Sequence, residues 1–369
     1  MVKPFVFDAH VDSLQIALEL GVDLGEGSPG QLDLPRGRAG GLGAVVLTSW
    51  VEPRYIGEGR GGARARADSL FNCLDALVAG SPRETLKILT KSDLDRARAS
   101  ERLAAIAGIE GGHPLESSQG AEDWMEGLEH FFNRGLRVLT LVWNNHLTWV
   151  RSCDADPSGK APAGLTDLGK RLVGRMNELG ILVDLSHAAP RSFFDAIEAS
   201  SKPVIASHSG CKALHDHQRN LSDEQLRALR DNGGVVGVPF LPSFLDAEAQ
   251  RESARARAQA GYRELQGKSA TELEIARTHF MARELEPLSI ERLADHIEHV
   301  VEVAGIDHIG LGSDFDGITT TVAGLHDASS YPNLEAPLRA RGFGDSDVQK
   351  VFGLNMLRVL REALPGDRE

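Results

Sequence analysis

Eight short apolar, often β-branched runs recur along this chain, with room for at least one helix between most neighbours. That alternation limits the fold more than any other feature. The runs are FVFDAH (5–10), GAVVLTSW (43–50), LAAIAGIE (103–110), LRVLTLVW (136–143), GILVDLSH (180–187), PVIASH (203–208), GGVVGVPF (233–240) and IDHIGLGSDF (306–315). Several are continuously apolar, as parallel strands covered by helices are. Between them, Ser222 with Gln225 three residues on reads as a helix start that stops at Gly233, and Ser289 opens a helix that Gly305 closes. Eight strands alternating with helices predict a (β/α)8 TIM-type barrel. A doubly wound sheet shares the local signature, but the strand count and a length of 369 residues favour the barrel. A single barrel domain over 1–369 is expected, carrying a charged insertion at about 241–288. The insertion reads first as solvated helices and second as a lid or a subunit contact.

The strand ends carry the chemistry. The first run ends at His10, with Asp12 two residues later; others end at Glu110, His187 and His208, and the last holds Asp314 in GLGSDFDG. In a barrel these positions share the C-terminal rim, where active sites of this fold are built. A single histidine at a strand end is more often a hydrogen-bonded loop residue, but six such groups on one rim are not what core packing produces. Imidazole nitrogen with carboxylate oxygen, and no thiolate, suits zinc or a similar divalent ion. Three histidines and two carboxylates exceed what one catalytic zinc takes while keeping an open position. They fit two metals sharing a carboxylate and a water, leaving Asp314 to move protons.

Composition excludes several alternatives. A net charge of −13 and the lack of a basic stripe argue against nucleic acid or an anionic membrane as partner. Cys73, Cys153 and Cys211 are far apart and form no CxxC pair, which disfavours a disulfide framework and fits a reducing compartment. The first strand begins too early for a secretory leader, and no apolar run reaches membrane-spanning length. A cytoplasmic location is the expectation.

DAHVDS, GIEGGHPL, ILVDLSHAA, PVIASHSGCKALHDHQRNLSDEQL and HIEHVVEVAGIDHIGLGSDFDG together resemble the membrane dipeptidase (renal dipeptidase) family, peptidase M19, among the amidohydrolase-type metal barrels. The similarity runs over nearly the whole length. It implies a dipeptidase with two Zn2+ per subunit, His10 and Asp12 on one, His187 and His208 on the other, and Glu110 bridging both. It further implies that Asp314 takes a proton from the bridging water and gives it to the leaving amine, and that Arg219 grips the dipeptide's terminal carboxylate. Relatives accept a D-residue at the C-terminal position and often form homodimers, so L–D dipeptides and a homodimer are expected.

One position departs from the family. Where relatives carry a histidine that helps stabilise the tetrahedral intermediate, this chain has Trp143. His146 supplies the missing donor on one reading, and Asn144 or Asn145 on another. That departure and the insertion keep open a non-peptide amide, N-acyl amino acid or lactam as substrate. A barrel that binds metal without catalysis is the remaining alternative. His113, His215, His217, His296 and His299 are assigned packing, surface or supporting roles, Asp316 a role in orienting the last turn, and Cys211 none.

Overall fold

The computed structural model describes residues 5–56, 62–116, 123–267 and 269–367. Its sheet has nine parallel strands: β1 (Val6–Val11), β2 (Leu42–Trp50), β3 (Thr85–Lys87), β4 (Leu103–Glu110), β5 (Leu136–Thr140), β6 (Leu182–Asp184), β7 (Ile205–Ala206), β8 (Val235–Val238) and β9 (Ile309–Leu311). Eight of them close a barrel in the order β1-β2-β4-β5-β6-β7-β8-β9, with Asp8 opposite Leu311 sealing the ring. The ninth, β3, has no counterpart among the eight expected runs. It pairs only with the first half of β4, from Leu103 to Ala105, and β5 takes over that edge from Ala107.

Several strands are shorter than their apolar runs, chiefly β6, β7 and β9. The chain leaves the ladder early because the residues at the rim adopt turn conformations. His187, Asp314 and Asp316 all have positive φ, at 68°, 64° and 66°. Left-handed backbone is costly for residues with a Cβ, on the order of 1–3 kcal/mol each, and tends to gather at functional sites.

Strand alternation divides the apolar side chains into two sets. Phe7, Val46, Ile106, Val138 and Ile205 pack inside the barrel in one cluster, and Met356 and Leu360 of the 355–363 helix join them. The other set packs against the surrounding helices. Those helices start and stop where their caps dictate. Ser222 and Gln225 form the reciprocal capping box, and the 290–304 helix runs from Ser289 to Gly305. Among the described residues, no helix is long and apolar enough to cross a membrane.

The 241–288 insertion forms helices at 242–245, 247–258, 260–263 and 270–284. Ala256, Phe280 and Met281 bury a small core of their own, with Tyr262 and Leu285 packed against it. The insertion is fastened to the barrel at Glu19, which accepts the backbone N–H of Thr271 at 3.0 Å and the guanidinium of Arg66 at 2.5 Å. It therefore packs over the barrel mouth, where it helps to line the central cavity.

Candidate active site

Five of the expected ligands meet at the C-terminal rim, all buried. The two carboxylate oxygens of Glu110, the last residue of β4, face different partners. Oε1 lies 2.8 Å from His187 Nε2 and 3.4 Å from His208 Nε2. Oε2 lies 3.7 Å from His10 Nε2, which is itself 3.5 Å from Asp12 Oδ2. Glu110 thus stands between one pair and the other. Asp314 completes the group, with Oδ1 3.9 Å from His10 Nε2. The backbone N–H of Asp314 donates to the His10 carbonyl at 3.1 Å, tying the last turn to β1. Gly317 leaves room beside the cage: a Cβ there would displace the Asp12 and Asp314 carboxylates from their present positions.

These residues fit a metal centre on their own chemistry. His10 Nε2 and Asp12 Oδ1 are buried without a hydrogen-bond partner, and buried polar atoms are seldom left so. His187 Nε2 and His208 Nε2 stand 3.1 Å apart. His10 with Glu110 and His208, and His10 with Asp12 and Asp314, each bring ligand atoms within reach of one cation. Burial pushes His187 down to about 4 and His208 well below the usual imidazole range, which favours the neutral ring at both positions at pH 7. Burial raises Asp314 well above the ordinary carboxyl range, with Asp12 and Glu110 adding to it. Burial works against a charged His10, but Glu110 and Asp12 outweigh it and raise its pKa.

Arg219 is buried at the edge of this group. One of its NH2 groups donates to the His208 carbonyl at 3.3 Å, its Nε has no partner, and its guanidinium lies 5.0 Å from the Phe244 ring centre. Among the described residues no carboxylate pairs with it. A buried arginine without a counter-ion is an anion site in waiting.

His146 is not brought to the cage. Its Nδ1 accepts the Ser152 N–H at 3.2 Å, its Nε2 lies 3.2 Å from the Ala155 carbonyl, and the ring braces the 146–155 loop. Trp143 does line the cavity, edge-on to Trp50 at 5.2 Å between centres and 6.2 Å from His187. Asn144 Oδ1 meets His187 Nδ1 at 2.8 Å and so directs that ring's Nε2 inward, while Asn145 is not among the cavity residues. The cavity over the cage measures about 1800 Å3 and is walled by the barrel mouth and the insertion together.

Three other histidines have local tasks, while His215 has a buried Nε2 without a partner. His113 contacts the Val51 carbonyl at 2.7 Å, His299 pairs with Asp223 at 2.8 Å, and His296 takes the Cys211 N–H at 2.9 Å and meets the Leu245 carbonyl at 2.9 Å. Burial raises the Cys211 thiol pKa and keeps it protonated. Asp316 accepts the Ser13 hydroxyl and the Gln31 N–H, which anchors the last turn. His217 lines the cavity beside Arg219, and the sequence alone assigned no role to the polar residues Asp184 and Ser207 under the cage. Both lie inside the blocks ILVDLSHAA and PVIASHSG, but each looks like one more small or acidic residue near a strand end.

A family model described as membrane dipeptidase (peptidase family M19) matches residues 1–365. The dipeptidase tcpJ of Claviceps purpurea is 32% identical over 340 residues, 90% of this chain and 69% of that protein. The crystal structure of the probable dipeptidase PvdM from Pseudomonas aeruginosa superposes with a TM-score of 0.81 at 27% identity, covering 98% of this chain and 96% of that one. A Rhodobacter sphaeroides metallopeptidase liganded with a phosphinate mimic of L-Ala-D-Ala gives 0.79 at 25% identity, covering 98% and 99%. With the rim geometry and these matches together, the chain belongs to the membrane dipeptidase family, peptidase family M19, and with it to the metal-dependent dipeptidases.

Proposed function

We propose that this chain hydrolyses dipeptides at a centre of two divalent cations, zinc in the first instance, with L–D dipeptides among its substrates. The observation that carries the reading is the placement of Glu110, one oxygen toward His187 and His208 and the other toward His10. His10 and Asp12 would hold one ion, His187 and His208 the other, and Glu110 both. Bound there, such ions supply a water acidified to roughly neutral pKa and a Lewis acid for the scissile carbonyl.

The protein's own groups do the rest. Arg219 takes the substrate's terminal carboxylate on its unpaired donors and so fixes which peptide bond lies over the cage. Asp314, beside His10 and Asp12, accepts the proton of the attacking water and returns it to the leaving amine. The insertion and the Trp50–Trp143 pair wall the cavity in which the substrate would lie. The L-Ala-D-Ala mimic bound by the Rhodobacter relative supports the stereochemical part of the reading.

Asp314→Asn should lower turnover of an L–D dipeptide at least about 10²-fold, the low end for general acid–base catalysis, while retaining the parent's metal content. Unchanged turnover in that variant, measured as amino-acid release, would remove Asp314 from its role.

A second reading, the same cage acting on a bulkier amide or N-acyl amino acid, is favoured by Trp143 and by a cavity larger than the roughly 300–1,000 Å3 of ordinary small-molecule sites. The same assay with N-acyl amino acids beside L–L and L–D dipeptides decides between them.

A further inference from the structure

The chemistry above uses no residue from the polar group that lies under the cage. In register, Glu110 of β4 stands beside Thr140 of β5, and Thr140 beside Asp184 of β6. Asp184 is wholly buried and receives four donors. Its Oδ1 accepts the backbone N–H groups of Ser186 at 3.0 Å and Ser207 at 2.8 Å. Its Oδ2 accepts the hydroxyls of Thr140 at 2.5 Å and Ser207 at 2.6 Å.

The consequence lies at Ser207. A carboxylate only accepts, so the Ser207 hydroxyl hydrogen is committed to Asp184; the alternative acceptor, Ser186 Oγ, is neutral and farther off at 3.3 Å. Ser207 Oγ then has only lone pairs for its other neighbours. Those are His208 Nδ1 at 2.8 Å and His10 Nδ1 at 3.5 Å. Each ring is thereby asked to carry a hydrogen on Nδ1. In the neutral form of each ring the bare nitrogen is then Nε2, the atom that each ring turns toward Glu110. His187 has a separate partner for the same purpose in Asn144.

We propose that Asp184 and Ser207 are positioning residues for the metal centre, one hydroxyl setting the tautomer of a histidine from each of the two pairs that Glu110 joins. The inference rests on the reading of the cage as a metal site. It assigns Asp184 and Ser207 the outer-shell role that carboxylates and hydroxyls commonly play behind ligating histidines.

Asp184→Asn makes the sharpest test. The two backbone donors hold Oδ1 as an acceptor, so the new NH2 group takes the place of Oδ2 and faces Ser207. Ser207 then accepts from the amide and turns its own hydrogen to His208 Nδ1, which moves the imidazole proton to Nε2, inside the cage. Zinc affinity of metal-free protein, read by competition with a chromophoric chelator, should weaken roughly 10–100-fold. ¹⁵N NMR of histidine-labelled metal-free protein should show the His208 tautomer inverted. Ser207→Ala, a smaller change that keeps the backbone contacts, should weaken zinc by about tenfold without the inversion, and it carries the test if Asp184→Asn does not fold. Zinc affinity within twofold of the parent in folded variants, with the His208 tautomer unchanged, would overturn the proposal. A parent protein that binds no zinc would instead sink the metal reading, and the NMR comparison would still report on the relay.

Discussion

At the scale of single residues, the site combines burial with incomplete pairing. Arg219 shows this most clearly. It is 6% exposed, yet it donates from only part of its guanidinium, and among the described residues no carboxylate balances it. Its neighbours His217 and Phe244 hold it in place, His217 Nδ1 taking the Arg219 N–H at 3.2 Å. Lysine would keep the charge but lose the planar fork that meets a carboxylate with two parallel bonds. Arg219→Lys should therefore raise KM for dipeptides by about tenfold or more while changing kcat far less, since the lost contact is made to substrate and transition state alike. An unchanged KM would remove Arg219 as the carboxylate clamp. The candidate ligands stand out in the sequence because His10, Glu110, His187 and His208 each close an apolar run and Asp12 follows His10 by two residues. The place of His146 was not legible, because nothing in its sequence neighbours reveals that the Ser152 N–H and the Ala155 carbonyl hold its ring in the loop.

At the scale of elements, strand ends and caps could be read but contacts between distant segments could not. The capping box at Ser222 and the Gly305 stop are local, so the sequence displays them. The roof formed by 241–288 depends on Phe280 and Met281 being buried and on Thr271 meeting Glu19, 252 residues away, and its charged composition hides both. His296 is another such long-range contact. It joins the loop after β7 to the start of the insertion, accepting from Cys211 N–H and donating to the Leu245 carbonyl. The bond from Cys211 requires a bare Nδ1 and so the neutral ring, whereas the one to Leu245 is made by either form and by itself raises the pKa. Burial lowers its pKa from 6.5 to about 4, and Arg292 and His215 nearby act in the same direction against Asp295. Between those values the unfolded chain binds more protons at this position than the folded one. The contribution of His296 is then complete above pH 6.5, falls as pH drops toward 4, and amounts to roughly 3 kcal/mol over that window. His296→Leu should be less stable at pH 7.5 by about 1–3 kcal/mol, from the abandoned N–H and carbonyl, yet lose less than the parent between pH 6.5 and 4. Urea unfolding of the metal-free proteins at several pH values checks this; parallel stability curves for the two would contradict it.

At the scale of the whole molecule, the eightfold alternation was enough to give the barrel, because strand count, helix spacing and the crowding of polar groups at one set of strand ends all agree. The extra strand β3 escaped notice, since three residues carry no periodicity. The polar layer of Thr140, Asp184 and Ser207 escaped it too, because these residues acquire meaning only when β5, β6 and β7 stand side by side. What the closed barrel achieves is to bring His10, His187 and His208 within a few ångströms of Glu110 and Asp314 within 3.9 Å of His10, and the proposed function rests on that convergence. The most direct measurement is a titration of metal-free protein with zinc, following L-Ala-D-Ala hydrolysis and bound metal on the same sample. Activity that is absent without metal and reaches its plateau at two ions per chain is the expected result. A plateau at one ion, or hydrolysis by protein that holds none, would contradict the account of a cage divided between the two oxygens of Glu110.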